Sequence, residues 1–273
     1  MAPNILEALA YRGSHINSQL DGTAWVGHSQ FAYWIVSALQ PKVIVELGTH
    51  GGCSYFSFCD SVLHNHINAK AFAVDTWEGE QQAGVYGQSV YEKVQIYNQQ
   101  MFGDFSQLLK MRFDEALPLF SNCSVDLLHI DGFHTYEAAS HDLNSWLPKL
   151  SENAVVLLHD THEIAPGFGV HTLWAELKEQ NPKKCMEFPH SHGLGIYFPN
   201  SAEAAENLRN ALGMDLSKAF HLFTVCGDFT YCEINGKSLM QKQTVFDLSQ
   251  IAELLSQVKT QNPPVAQQLK SLL

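Results

Sequence analysis

Chemistry-bearing residues in this chain cluster where short β-branched runs end: Glu46 with Gly48 and Gly52, Asp75, Asp131 with His134, and His159 with Asp160. A carboxylate at such a position accepts protons from ligand hydroxyls, and a neutral imidazole beside it takes a proton near neutral pH. Glycines let the backbone turn sharply and come close to a ligand. Gly48-Thr-His-Gly51-Gly52 is not Gly-x-Gly-x-x-Gly, so the pyrophosphate-binding fingerprint of dinucleotide sites is missing. Asp75 follows Gly52 by 23 residues and closes the next β-branched run. An acid there receives both hydroxyls of a ribose. The pair fits a nucleoside without a diphosphate, and S-adenosylmethionine is such a ligand. Its ribose is expected at Asp75 and its methionine portion along the turn near Glu46. His134, in the loop after Asp131, is the expected base for a ligand hydroxyl at that edge.

These residues cooperate only if a fold brings the strand ends to one edge. Residues 43–47, 71–75, 125–131 and 154–160 are apolar runs of strand length, and a further strand is expected near 110–113. Tyr55, Phe58, Cys59 and Val62 carry helical spacing, as do Tyr136, Ala139, Leu143 and Leu147, and later Val170, Leu173, Trp174 and Leu177. Residues 184–188 and 194–198 are separated by too few residues for a crossover helix, so they form an antiparallel hairpin. The expectation is an α/β fold: a Rossmann-like, doubly wound, mainly parallel seven-stranded sheet with an antiparallel last strand. Ligands bind such sheets outside the carboxyl ends of the strands. Residues 1–200 form this domain. Residues 201–273 form a small C-terminal α+β extension, a cap or an oligomer interface, with a helix at 202–212, a strand pair at 221–234 and a helix at 246–258. A short helix is expected after Pro263-Pro264. Residues 106–109 read as one helical turn. The long segment 77–104, with helix near 90–99, carries Trp77, Tyr86, Tyr91 and Tyr97, which either stack on a ligand or pack.

Composition narrows the partners. The 273 residues are 45% hydrophobic and 16% charged, enough for a large core, and the net charge is −12. So acidic a chain repels phosphate backbones, which excludes a general nucleic-acid binder. No apolar run has the length of a membrane span, and the first residues lack a signal-peptide pattern, so a cytoplasmic protein is expected. The six cysteines include no Cys-x-x-Cys pair and read as reduced thiols. Of the 14 histidines, His129, His141 and His171 are expected to be structural, while His190 and His192 tip the hairpin that returns to the ligand edge.

Val45-Glu-Leu-Gly-Thr-His-Gly-Gly-Cys-Ser-Tyr55 resembles motif I of class I S-adenosylmethionine-dependent methyltransferases, and Val74-Asp-Thr-Trp-Glu-Gly79 resembles their acidic second motif. Asp126-Leu-Leu-His-Ile-Asp-Gly-Phe-His-Thr-Tyr-Glu137, Trp146-Leu-Pro-Lys-Leu150 and Leu158-His-Asp-Thr161 are similar to the branch holding macrocin-type sugar O-methyltransferases. Phe168-Gly-Val170, Leu173-Trp-Ala-Glu-Leu-Lys178 and His192-Gly-Leu-Gly195 resemble a bacterial set associated with glycosyltransferases. The resemblance covers about residues 24–199. It implies an O-methyltransferase acting on a small-molecule or glycan hydroxyl, with a glycosyltransferase as a partner; a homo-oligomer is a separate expectation, tied to the C-terminal extension. It implies that Glu46, Gly48 and Gly52 contact the cofactor's methionine side. Asp75 would hold the ribose with Trp77 nearby, and Asp114 would lie near the adenine. It further implies a divalent metal, magnesium or manganese, at Asp131, His159 and Asp160. The branch has an acidic pair where this chain has His159-Asp160, and an imidazole suits manganese, iron or zinc better than magnesium. Two other readings share these residues: a metal-dependent hydroxylase built on Asp131, His134, His159 and Asp160, and a non-catalytic module that binds cofactor or glycan beside a glycosyltransferase.

Overall fold

The computed structural model describes residues 5–13, 23–79 and 88–235. Helix α1 (Ile5–Leu9), a 3-10 turn at Ala24–His28 and α2 (Ser29–Leu39) precede β1 (Val43–Leu47). Then follow α3 (Cys53–His64), β2 (Lys70–Asp75), α4 (Gln88–Phe102), β3 (Ser106–Lys110), the one-turn α5 (Phe113–Ala116) and β4 (Val125–Ile130). Next come α6 (Tyr136–Trp146), β5 (Leu150–His159), α7 (Val170–Gln180), β6 (Cys185–Phe188) and β7 (Leu194–Tyr197). Helices α8 (Ala202–Ala211) and α9 (Leu216–Ile234) complete the described chain.

The seven strands form one sheet in the order β3-β2-β1-β4-β5-β7-β6. All neighbours through β5 are parallel, and β7 runs antiparallel to both β5 and β6. This is the expected doubly wound sheet with an antiparallel last strand. Chain order reverses between β1 and β4, so their carboxyl ends part and leave a crevice. The sheet alternates its faces as a pleat must. Ile44, Leu127, Val155 and Leu157 enter the core under α2, α3 and α9, while Val45, Leu128, Val156 and Leu158 enter the core under α6 and α7.

Three expectations fail. Residues 106–109 belong to strand β3 and are not a helical turn, and the strand expected near 110–113 ends at Lys110, with Phe113 opening helix α5. β3 is an edge strand with one neighbour, and only Ser106 of its residues is buried, so its apolar signal is weak. Residues 221–234 are helix, not a strand pair. Their β-branched and aromatic residues read as strand, yet Ala219, Leu222, Phe223 and Cys226 bury one helical stripe. Asp215 caps that helix, accepting the Lys218 N–H at 3.1 Å. The described part of the C-terminal extension is therefore all helix. The helix expected at 246–258, the one after Pro264, and Tyr86 lie outside the described residues. Among the described residues no helix is long and apolar enough to cross a membrane.

Helix α9 lies against the 3-10 turn at Ala24–His28. A Cβ at Gly227 would run into the Gly27 carbonyl, so glycine is what permits the two backbones to touch. Phe223 packs edge-on against Phe31, and Phe220 stacks on Phe188 with ring centroids 4.0 Å apart. Gly227→Ala is expected to lower stability by about 1–3 kcal/mol, because the added methyl must push α9 off the turn. Urea unfolding followed by tryptophan fluorescence measures this, and an unchanged midpoint would refute the contact.

Candidate active site

The crevice at the β1–β4 divergence is a cleft of about 890 Å³. Gly48, Asp75, Asp114, Asp131, His134, His159 and Asp160 all line it. Four separate sequence features thus meet on one wall. Gly48 makes this possible: it has φ +86°, and a Cβ there would collide with the Asp131 carbonyl. The Asp131 N–H donates to the Leu47 carbonyl at 2.9 Å, and the Gly48 N–H to that of Val74 at 3.0 Å. Strand-end backbones of β1, β2 and β4 are thereby tied together.

Asp75 organises the first loop. Its Oδ2 accepts the Thr49 and His50 N–H groups at 2.8 and 2.9 Å, and its Oδ1 accepts the Trp77 N–H at 2.7 Å. Three expected contacts lie behind the cleft wall instead of on it. Glu46 is fully buried, and its Oε2 accepts from His129 Nδ1 at 2.8 Å. Burial raises the Glu46 carboxyl, and the His129 hydrogen bond opposes that rise. His129 Nε2 in turn accepts the Trp25 indole N–H at 3.2 Å. Gly52 has φ +86°, starts α3, and covers the Phe56 ring. Trp77 is buried, donates its indole N–H to the His50 carbonyl at 2.9 Å and packs on Tyr91 at 4.8 Å. Tyr97 packs on Phe56. Trp77, Tyr91 and Tyr97 are packing aromatics here.

The cluster at the ends of β4 and β5 holds the cleft's strongest charges. His159 Nδ1 lies 3.3 Å from an oxygen of Asp131 and 3.3 Å from one of Asp160. Its Nε2 faces the Ser191 carbonyl at 3.1 Å. Burial alone would lower this imidazole, but Asp160 and Asp131 outweigh burial and push it up to about 10. His159 is therefore an imidazolium donating to three oxygens. Burial works against the two carboxylates, yet His159 and His134 hold Asp131 well below the carboxylate range and Asp160 down at about 2. His134 Nε2 sits 2.9 Å from Asp160 Oδ2 and 3.8 Å from Asp131 Oδ1. Its loop is fixed by the Thr135 cap of α6 and by the Gly169 N–H on the His134 carbonyl at 2.7 Å. Donor atoms of Asp131, His134 and Asp160 all lie within 4.8 Å of one another. Two carboxylate oxygens and one imidazole nitrogen suit manganese, iron or zinc. The trio whose donor atoms converge thus contains His134, where the sequence pointed to His159.

Trp25 carried no sequence signal, while Phe133, Phe168 and His192 stood in the quoted motifs. Trp25 sits in a 3-10 turn without periodicity. Phe133 and Phe168 lie in loops, the second with its ring 4.9 Å from that of His134. His192 lines the cleft and pairs with Glu163 from the loop after β5. His190 instead faces the Gly27 carbonyl at 2.9 Å and Thr224 Oγ1 at 3.2 Å. Asp114 lines the cleft but is exposed and bonds His141 at 3.0 Å. Asp142 also lines it, beside Gly132.

Residues 45–161 match the family model described as a methyltransferase domain. The chain is 48% identical over 186 residues, 68% of its length, to the uncharacterized protein y4gI of Sinorhizobium fredii strain NBRC 101917 / NGR234, and spans 20% of that relative. Among solved structures, a presumed O-methyltransferase from Klebsiella pneumoniae is 16% identical with a TM-score of 0.51, covering 72% of this chain and 94% of that one. That likeness shows the fold. The O-methyltransferase TomG from Streptomyces achromogenes, solved with S-adenosylmethionine, is 14% identical with a TM-score of 0.48, covering 70% of this chain and 92% of that one.

Burial, offset by His141 and reinforced by Asp114, pushes the Asp142 carboxyl up to about 7. Its folded value exceeds its unfolded one, so the folded state binds more protons between pH about 4 and about 7, and stability falls as pH rises through that window. Asp142→Asn is expected to flatten this fall and to gain about 1–4 kcal/mol at pH 8. Thermal melts of both proteins from pH 4 to 8 measure it; parallel curves would refute it.

Proposed function

We propose, from the match of residues 45–161 to a methyltransferase domain, that this chain transfers the methyl group of S-adenosylmethionine to a hydroxyl of a sugar or glycosylated metabolite. The observation that carries this reading is the meeting of Gly48, Asp75, Asp131 and His134 on one cleft wall. The residues fit the cofactor: Thr49, buried to 3% with a hydroxyl that meets no partner among the described residues, lines the turn where the methionine portion would lie. Asp75 keeps a lone pair on Oδ1 beyond its single N–H bond there, which a ribose hydroxyl can use. S-adenosylmethionine supplies an electrophilic methyl whose carbon–sulfur bond breaks as the acceptor oxygen bonds to it, the electron pair remaining on sulfur.

The chain's own task is to position the acceptor and remove its proton. His134 is the base: its Nε2–H donates to Asp160, which leaves Nδ1 to take the acceptor's proton, and Asp160 stabilises the imidazolium that forms. His159 holds Asp131 and Asp160 in place. Phe133, 54% exposed, and Phe168 offer apolar faces on which a sugar ring can lie. The three donor atoms within 4.8 Å favour a second reading, in which Asp131, His134 and Asp160 hold a divalent cation that lowers the acceptor's pKa. A cation takes the Nε2 lone pair, whereas the base reading keeps a proton on Nε2 for Asp160, so the readings are exclusive. Because the chain spans a fifth of its long relative, we also infer that it works joined to or beside another domain, a glycosyltransferase being the partner that the resemblance suggests.

Titration calorimetry of wild type is expected to show S-adenosylmethionine binding that Asp75→Ala weakens at least about tenfold. The variant should also lose about 2–4 kcal/mol of stability, since three N–H groups lose their acceptor. Full cofactor affinity in a folded Asp75→Ala protein would overturn the assignment. Electron paramagnetic resonance with added Mn²⁺ separates the two readings of His134. Saturable binding that Asp160→Asn abolishes supports the cation reading, whereas unchanged free Mn²⁺ leaves the imidazole as base.

A further inference from the structure

The cleft is charged almost entirely with one sign. Among the described residues, eight carboxylate side chains line it, and Arg112 is the one lysine or arginine. Glu78 and Glu137 are exposed to arriving molecules, and Glu163 is half-buried. Counting His159 as a cation, Asp142 as neutral and a divalent ion at the cluster still leaves the cleft negative. Low-dielectric walls concentrate such a field. A sulfonium nucleoside with net positive charge is drawn in, and its neutral thioether product is held less strongly. A diphosphate meets the opposite force. Beyond its carboxylates, the cleft offers the Thr49 hydroxyl, unpartnered among the described residues, and the faces of Phe133 and Phe168, which are contacts for hydroxyl-bearing rings.

We infer that the acceptor this cleft takes carries no phosphate: it is an uncharged or positively charged ring hydroxyl compound, such as a free glycoside or an amino sugar. Nucleotide-activated sugars and coenzyme A thioesters are excluded. This rests on the methyltransferase reading above. It sets an order of reactions: the nucleoside diphosphate leaves first, as in glycosyl transfer, and methylation follows on the released or transferred sugar.

Two probes of opposite charge test it on the full chain: glucosamine, largely cationic at pH 7, and UDP-glucose. The readout is the Trp25 indole N–H in ¹⁵N spectra, assigned with Trp25→Phe. Glucosamine is expected to shift this signal saturably, with its Kd rising at least about threefold on adding roughly 0.3 M salt, because salt screens the attraction. The double variant Glu137→Gln, Glu163→Gln should weaken glucosamine by a similar factor. UDP-glucose should leave the signal in place. The inference is overturned if UDP-glucose binds there with a Kd below about 1 mM. It is equally overturned if glucosamine gives no response, or one indifferent to salt and to the double variant. Titration of S-adenosylmethionine is the separate control: its failure removes the methyltransferase reading, while the probes report the cleft's charge in either case.

Discussion

A buried imidazolium shared by two carboxylates is the constraint on which the site depends. Asp131 and Asp160 end neighbouring strands, and parallel pairing of β4 with β5 forces their side chains together. Two ionised carboxylates so close repel strongly in a low-dielectric interior. His159, 3.3 Å from each, supplies the charge that lets both remain ionised. The Ser191 carbonyl on its far nitrogen fixes the ring, so the hairpin between β6 and β7 takes part in the electrostatics of strands β4 and β5.

Much of this was legible in the residues. The β-branched runs ending in Glu46, Asp75, Asp131 and Asp160 announced both the parallel sheet and the edge at which ligands bind. Short loops announced the hairpin. The failures have physical causes. β3 is an edge strand that needs no continuous apolar run, so 106–109 carried little strand signal. In α9, β-branched and aromatic residues outweighed a helical stripe whose partners, Phe31 and the Ala24–His28 turn, lie some 200 residues away in the chain. Tertiary packing decided that element, and no local window contains it. Glu46 illustrates a subtler limit. Its place in motif I was plain, but its side chain direction follows from register: Glu46 sits opposite His129, on the core face.

That register gives Glu46 an indirect part in the cleft. Glu46 holds His129, His129 receives the Trp25 indole, and Trp25 closes the cleft from below. The ring of Trp25 also lies 6.0 Å from that of His159. A motif acid, a histidine one strand over and a tryptophan ahead of the sheet thus behave as one rigid unit.

The Gly27–Gly227 contact bears on how this fold can be engineered. It fastens a segment ahead of the first strand, which lines the cleft through Trp25, to a helix beyond the last one that holds this segment from behind. A chimera that borrowed the seven strands while replacing either flank would lose the floor beneath its ligands. The two flanks have to be exchanged together, as a matched pair.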